Sequence, residues 1–213
     1  MRAPFHEELG QLEAALQEEG DLVLRALRSA LNALARGDDE LADEVIGLRP
    51  ERADDAAALL GCEDELTIRW NFTGAAKTRT ELAAATRRAG LDWLVGAAAQ
   101  FVIVDLASGR VAGGLQLRKA GPPQIGGVGY VVHPEFRGHG YTSRALRLLA
   151  GWAFDVADFA RLELGAKVGN VASWRAAASA GWAEDGLRQA RLRNADGTFS
   201  DERRYVLLNP KYA

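Results

Sequence analysis

The spacing of apolar residues divides the chain into an N-terminal helical part and a longer mixed part. Before residue 46, apolar side chains recur every three or four positions, with one step of seven, at Phe5, Leu9, Leu12, Leu16, Val23, Leu27, Leu31 and Leu34. This period predicts a long amphipathic helix, which Gly37 would end. Asp38 or Asp39 can cap a second, shorter helix. We therefore predict a helical hairpin over residues 1–46.

From residue 46 onward, short apolar runs alternate with helical patterns. Strands are predicted at 46–49, 101–105, 111–117, 130–132 and 161–166, and helices within 51–63, 77–89, 143–156 and 172–180. The segment GPPQIGG at 121–127 is expected to be a loop, and the NADG sequence at 194–197 predicts a closing β-hairpin. This order of elements indicates an α/β (α+β) fold with a mixed central sheet of about six to seven strands, flanked by helices.

The stretch GYVVHPEFRGHGYT at 129–142 joins a strand to a glycine-containing turn and a helix. Pro134 ends the strand, and Gly138 and Gly140 allow the backbone to turn tightly and present its N–H groups to an anion. The free N–H groups and the positive dipole end of the next helix would face the same anion. A purely structural turn is the alternative. A dinucleotide fingerprint is excluded because Ser143 stands where its third glycine is needed.

What remains in this stretch is the pattern R-x-x-G-x-T, formed by Arg137, Gly140 and Thr142. It resembles the acetyl-CoA signature of the GNAT N-acetyltransferase family, usually Q/R-x-x-G-x-G/A. Residues 47–210 resemble the RimJ/RimL-type branch of that family, in the segments 48–50, 129–154, 161–182 and 187–208. The chain departs from the family pattern at Thr142, where Gly or Ala is usual, and at Trp182, where Phe is usual.

The resemblance implies which residues bind acetyl-CoA. The strand 130–132 would bind the pantetheine arm, and an N–H near Val132 or His133 would polarise the acyl carbonyl. The turn and the helix start would bind the pyrophosphate. The implied cofactor-binding residues are Tyr130, Val131, Val132, His133, Arg137, Gly138, His139, Gly140, Tyr141, Thr142, Asn170 and Ser173.

The same resemblance suggests Asn170, Ser173 and Glu163 as catalytic residues. Asn170 and Ser173 match positions beside the thioester sulfur, although both residue types also cap helices well. Ser173 or solvent would protonate the thiolate, because Ala177 stands where the family often has a tyrosine. Glu163 matches a glutamate that accepts the amine proton, and an exposed strand carboxylate is the equal alternative.

The resemblance therefore implies an N-acetyltransferase in which a primary amine directly attacks the thioester. The amine could belong to a protein N-terminus or to a small molecule, and Trp70 and Phe72 could wall its pocket. The alternative is a non-catalytic acyl-CoA-binding sensor or scaffold that uses the N-terminal helices as its interaction surface. Both functions predict binding of acetyl-CoA, and only the enzyme predicts its turnover.

Composition and charge narrow the classes of protein to which the chain could belong. The chain has 213 residues, of which 48% are hydrophobic, and its single cysteine, Cys62, excludes an intrachain disulfide. Without a secretory leader or a long apolar run, we expect a cytoplasmic protein without a membrane partner. Residues 1–46 have a net charge of −7 and the remainder +4, which is too little to indicate nucleic-acid binding. No ligand spacing for a metal is present.

The acidic segment 1–46 resembles the opening helices of PhoU, in MRAPFHEELGQLE and ALARGDDELADEVI. One helical hairpin cannot bury its own apolar face, so this segment is expected to pack on the catalytic domain or to form a homodimer. The change of resemblance near residue 46 suggests two domains, 1–46 and 47–213, joined either naturally or as a fusion.

Overall fold

The computed structural model describes residues 45–194 and 196–213. Its strands are β1 (Ile46–Pro50), β2 (Ala98–Asp105), β3 (Val111–Lys119), β4 (Ile125–Val132), β5 (Arg161–Lys167), β6 (Ala183–Arg193) and β7 (Phe199–Leu208). Its α-helices are α1 (Ala56–Leu60), α2 (Glu65–Trp70), α3 (Arg79–Leu94), α4 (Tyr141–Asp155) and α5 (Val171–Ser179). Short 3-10 helices precede α1 at Ala53–Asp55 and α4 at Pro134–Phe136.

The strands form one seven-stranded sheet in the order β1-β2-β3-β4-β5-β7-β6. All neighbouring pairs are antiparallel except β4 and β5, which are parallel. Pairing between β4 and β5 ends at Val128 opposite Leu164, although β4 continues to Val132 and β5 to Lys167. The sheet therefore opens into a gap at the carboxyl ends of its two parallel strands.

Helices cover both faces of the sheet. On one face, the apolar positions of α4 that were predicted from their spacing, Leu146, Leu149 and Ala153, are fully buried in the main core with Leu162. On the other face, Leu59 of α1 and Leu82 of α3 pack with Val102 of β2. The sheet is thus the middle layer of three.

The expected loop at 121–127 is partly wrong, because β4 begins at Ile125. Gly126 and Gly127 of this segment belong to the strand. A Cβ on Gly126 would lie 2.6 Å from the Leu117 side chain and 3.0 Å from that of Leu162. Glycine at this position lets the neighbouring side chains pack closely against the strand backbone. In the sequence, such a glycine cannot be distinguished from a glycine of a loop.

The other element predictions agree with the structure to within a few residues. The fold class, a mixed α/β sheet of six to seven strands flanked by helices, is confirmed. Thr78 caps α3 and accepts a hydrogen bond from the N–H of Glu81. The predicted N-terminal hairpin lies outside the described residues apart from its last two positions, and the domain division at 46/47 stays a prediction.

Candidate active site

The gap between β4 and β5 is lined by backbone groups that no neighbouring strand uses. The N–H of His133 donates to the Ala112 carbonyl at 2.8 Å, so odd-numbered residues at this end of β4 are bonded to β3. Because strand groups alternate, the N–H and C=O groups of Tyr130 and Val132 point away from β3 and into the gap. Of the two predicted carbonyl-polarising donors, Val132 therefore faces the gap and His133 does not.

The glycine turn after β4 presents a continuous row of free donors. Gly138 and Gly140 have positive φ angles of 80° and 75°, and Gly140 is the N-cap of α4. Within the described residues, no backbone N–H from Gly138 through Ser143 donates a hydrogen bond to protein. Six consecutive N–H groups at a helix start form an anion site of the kind that a pyrophosphate fits. The gap and this turn together fit acetyl-CoA.

The side chain of Arg137 is committed to protein contacts. Its guanidinium makes a bidentate ion pair with Asp64, at 2.6 and 2.9 Å, and also donates to the hydroxyl of Thr67 at 3.0 Å. Its Nε donates to the carbonyl of Val132 at 3.0 Å. Hydrogen bonds from Arg137 hold the pKa of the Asp64 carboxyl well below its usual range. Arg137 therefore links the glycine turn to Asp64, the N-cap of α2. The role of Arg137 in binding phosphate stays a prediction.

Other predicted cofactor residues differ in what they offer. Tyr141 is buried and its hydroxyl donates to Asp105 at 2.8 Å, so only its backbone N–H faces the turn. His139 is exposed, and its carbonyl accepts a hydrogen bond from Arg144. Thr142 is partly buried in the first turn of α4, and Val131 lies in the section of β4 that is bonded to β3.

A pair of hydroxyl groups lies beside the gap. The phenol of Tyr130 donates to the Ser173 hydroxyl oxygen at 2.7 Å, which leaves the Ser173 proton free to donate elsewhere. Burial raises the pKa of Tyr130 to about 12, so the phenol keeps its proton at neutral pH. Asn170 is the N-cap of α5, and its side-chain oxygen accepts from the N–H of Ser173 at 3.3 Å. The side-chain oxygen of Asn170 therefore caps the helix. The side-chain N–H groups of Asn170 donate to none of the described residues.

The carboxylate of Glu163 is held by two arginines. Arg161 donates to one oxygen at 2.8 Å, and Arg204, which is buried, contacts the other. Glu163 pairs with Gly127 in the register of β4 and β5, so it lies on the sheet face opposite Tyr130, Leu162 and Leu164. The role of Glu163 as the base stays a prediction. These ion pairs argue against that role.

A cavity of about 630 Å³ lies next to this constellation. Its walls come from α2, the end of β5 and the β6–β7 hairpin, and they consist of Ile68, Arg69, Trp70, Gly74, Lys167, Val168, Gly169, Asn194, Asp196 and Ser200. Trp70 packs over Gly169, the residue before Asn170. Phe72, the other aromatic predicted to wall an acceptor pocket, is exposed and does not line this cavity.

Two further observations concern the described part of the chain. No group of three or more His, Cys, Asp or Glu residues in it could hold a metal ion. None of its helices has both the length and the apolar character that crossing a membrane requires.

Comparison with known proteins assigns the family. Residues 46–183 match the acetyltransferase (GNAT) domain. The chain belongs to this family. GNAT membership confirms the predicted enzyme class, an N-acetyltransferase. No curated protein sequence is significantly similar to the chain.

Solved structures of similar fold include ribosomal-protein acetyltransferases. The ribosomal-protein-S5-alanine acetyltransferase from Vibrio fischeri is 19% identical, with a TM-score of 0.70, over 80% of this GNAT chain and 96% of its own. Mycobacterium smegmatis RimJ, in complex with CoA-disulfide, is 23% identical with a TM-score of 0.70. The match covers 78% of this chain and 83% of the RimJ chain. RimL, a ribosomal L7/L12 alpha-N-protein acetyltransferase in complex with coenzyme A, is 20% identical with a TM-score of 0.68. The match covers 78% of this chain and 95% of the RimL chain. The predicted resemblance to RimJ and RimL is thus confirmed in the fold.

Sequence reasoning missed three features of this GNAT site. Tyr130 was expected only as a strand residue, and its phenol reaches Ser173 across 43 positions of sequence. Asp64 was not singled out as the partner of Arg137, because 73 positions separate the two. Lys167, a buried lysine in the cavity wall, is the third. The only signal in the sequence was a lysine at the end of a predicted strand, two residues before Gly169.

Proposed function

We propose that this GNAT protein transfers an acetyl group from acetyl-CoA to a primary amine by direct attack, without a covalent enzyme intermediate. The observation that carries the proposal is the open gap between β4 and β5, with the Tyr130–Ser173 pair on its β4 edge and free N–H groups at 138–143. Acetyl-CoA supplies the thioester. The turn binds its pyrophosphate, and the gap receives its pantetheine arm.

The residues beside the gap divide the chemistry between them. The N–H of Val132 donates to the carbonyl oxygen as negative charge develops on it during attack by the amine. The C–S bond then breaks, and the departing thiolate takes the proton of the Ser173 hydroxyl. Tyr130, whose phenol already donates to Ser173, restores that proton and is reprotonated from solvent. The amide N–H groups of Asn170 hold the pantetheine arm.

The proton that the attacking amine loses goes to water at the open end of the gap. Glu163 would receive it if this residue were the base, as the family resemblance implies. We favour solvent because Arg161 and Arg204 already neutralise the Glu163 carboxylate on the other face of the sheet. Ser173 and Tyr130 are therefore the side chains on which turnover should depend most.

The test is thiol release from acetyl-CoA by the full chain, against a panel of amines and N-terminal peptides, with calorimetric binding of acetyl-CoA alongside. We expect amine-dependent release, reduced about 100-fold in kcat by Ser173→Ala. The matched control is Ser179→Ala, an exposed serine of the same helix, which should leave kcat unchanged. Binding without release by any amine would contradict catalysis and support the acyl-CoA sensor.

We also propose that residues 1–46 form an acidic helical extension that pairs two copies of the chain. The support is its apolar seam, read from the sequence. Sedimentation of the full chain should give a dimer, and replacing Leu12 and Leu16 with Glu should give a monomer. A monomeric wild-type chain would exclude this role.

A further inference from the structure

The cavity beside the gap contains a lysine in an unusual setting. The side chain of Lys167 is almost completely buried, since the residue is only 3% exposed. An ammonium group has three N–H donors, and within the described residues Lys167 donates one hydrogen bond, to the Arg69 carbonyl at 3.3 Å. No carboxylate in that part of the chain lies at ion-pair distance from it. Lysine is rarely buried this deeply without a charged partner.

The charges around the cavity favour an anion as that partner. The wall contains two basic residues, Arg69 and Lys167, and one acidic residue, Asp196. Asp196 already accepts hydrogen bonds from the N–H and the hydroxyl of Thr198, at 3.0 and 2.6 Å, and is exposed. The guanidinium of Arg69 stacks on the ring of Trp70, 4.9 Å from its centroid. The wall therefore has one more basic than acidic residue, and its buried cation is Lys167, on which the charge of Asp196 acts without forming an ion pair.

The position of Lys167 relates the cavity to the reacting groups. Lys167 is the last residue of β5, and its carbonyl accepts from the N–H of Asn170 at 3.0 Å. Asn170 caps α5, and Ser173 lies in the first turn of that helix. The backbone of Lys167 is thus joined directly to the cap of the helix that carries the proposed proton donor.

We propose that the acceptor of this enzyme is a primary amine that also carries a carboxylate, and that Lys167 binds that carboxylate. This inference rests on the proposed function and narrows its acceptor class. A carboxylate can accept two charge-assisted hydrogen bonds from the ammonium and supplies the counter-charge that burial demands. The carboxylate could be the C-terminus of a free amino acid or the acidic side chain of an N-terminal peptide. Desolvation lowers the pKa of Lys167, and an anion bound beside it would raise that pKa again.

Matched acceptor pairs test the inference on the full chain. Each pair has the same amine and differs only in a carboxylate or a carboxamide: free alanine against alaninamide, and Ala-Asp-Gly amide against Ala-Asn-Gly amide. Rates are compared at equal concentrations of the neutral amine, because amidation changes the pKa of the amine. We expect kcat/KM to favour the carboxylate by about 10- to 100-fold, the range of a charge-assisted hydrogen bond. The pair with the larger preference identifies the source of the carboxylate.

Substitution of Lys167 should remove this preference. Lys167→Met keeps the length and removes the charge, so it should lower kcat/KM for the carboxylate and leave the carboxamide unchanged, while Lys167→Arg should keep part of the preference. Lys119→Met, which changes an exposed lysine at the end of β3, is the control and should alter neither. Equal rates for acid and amide in the wild type, or an unchanged preference in Lys167→Met, would overturn the inference and leave the acetyltransferase proposal intact.

A binding measurement keeps the two proposals separable even without turnover. The acetylated products of both matched pairs need no catalysis, and within each pair the effects of acid and amide on the melting temperature of the wild-type protein can be compared directly. We expect a rise with the acid alone. Absence of thiol release with this rise present would reject the proposed function and retain the carboxylate site. Equal shifts from acid and amide in both pairs, or none, would reject the site.

Discussion

The phenol oxygen of Tyr130 and the hydroxyl oxygen of Ser173 lie 2.7 Å apart and join β4 to the first turn of α5. In the proposed mechanism the phenol donates to the serine oxygen, which leaves the serine proton available to the thiolate. In this proposal, a tyrosine from the strand takes the role that a tyrosine at the position of Ala177 often has in the family. Two hydroxyls in series can move a proton toward a thiolate without any ionised side chain.

Tyr130→Phe tests this relay. We expect kcat to fall about 10-fold and the KM for acetyl-CoA to change little, because the ring still packs in the core and only the proton source is lost. The combination with Ser173→Ala should be no slower than Ser173→Ala alone. An acetyl thioester of a more acidic thiol needs less help in leaving and should reduce the defect of Tyr130→Phe. Additive losses in the double variant would argue against a relay.

Gly140→Ala should weaken coenzyme A binding. Gly140 has φ of +75°, and an added Cβ would lie 2.8 Å from a guanidinium nitrogen of Arg144, within the row of free N–H groups. Calorimetry should show a Kd raised about 10-fold, from backbone strain of roughly 1–2 kcal/mol and obstruction of the site. Gly109→Ala is the matched control, since Gly109 has φ of +68° with open space around it in the β2–β3 turn. The control should lose stability and keep its affinity.

The ion pair between Asp64 and Arg137 predicts a pH dependence of stability. Arg137 lowers the pKa of Asp64 below its ordinary value of 3.8, so this contribution is complete above that pH and is lost as the pH falls below it. Asp64→Asn should lower the free energy of unfolding by about 1 kcal/mol at pH 7, since the pair is partly exposed to solvent. The difference between variant and wild type should shrink on acidification below pH 4, as denaturation by urea can measure. Glu65→Gln, an exposed neighbour, should show neither effect.

Glu163→Gln distinguishes an ion-pairing residue from a base. Loss of the carboxylate leaves the buried Arg204 with Asp185 as its remaining counter-ion, at 3.9 Å. We expect the free energy of unfolding to fall by about 2 kcal/mol and kcat to stay within about 3-fold of wild type. Glu184→Gln, at an exposed ion pair with Arg203, should be nearly silent in both measurements. A loss of kcat of about 100-fold or more in the folded variant would instead assign the amine proton to Glu163.

Local patterns in the sequence were enough to predict most of the fold. The spacing of Leu146, Leu149 and Ala153 predicted α4, and the NADG turn predicted the pairing of β6 with β7. The short helix α2 was missed because six residues are too few to display a helical period. The start of β4 was missed because its glycines serve the packing of Leu117 and Leu162, side chains that are distant in sequence.

The site was predictable only where function resides in one continuous segment. The turn at 137–142 and the cap at Asn170 were found because each is a local motif. The contacts that Tyr130, Arg137 and Lys167 make join segments separated by 43, 73 and 98 residues. Such partners depend on strand order and on the splitting of β4 from β5, which local periodicity does not determine.

The helix α2 touches both substrates' sites with its two ends. Its N-cap, Asp64, is tied to Arg137 beneath the glycine turn, while Arg69 and Trp70 at its other end line the acceptor cavity. A helix of six residues is not stable in isolation, so contacts at its two ends help to hold α2 in place. If acetyl-CoA bound at the turn steadies α2, an acceptor in the cavity would by reciprocity raise the affinity for acetyl-CoA by the same factor by which acetyl-CoA raises the affinity for the acceptor.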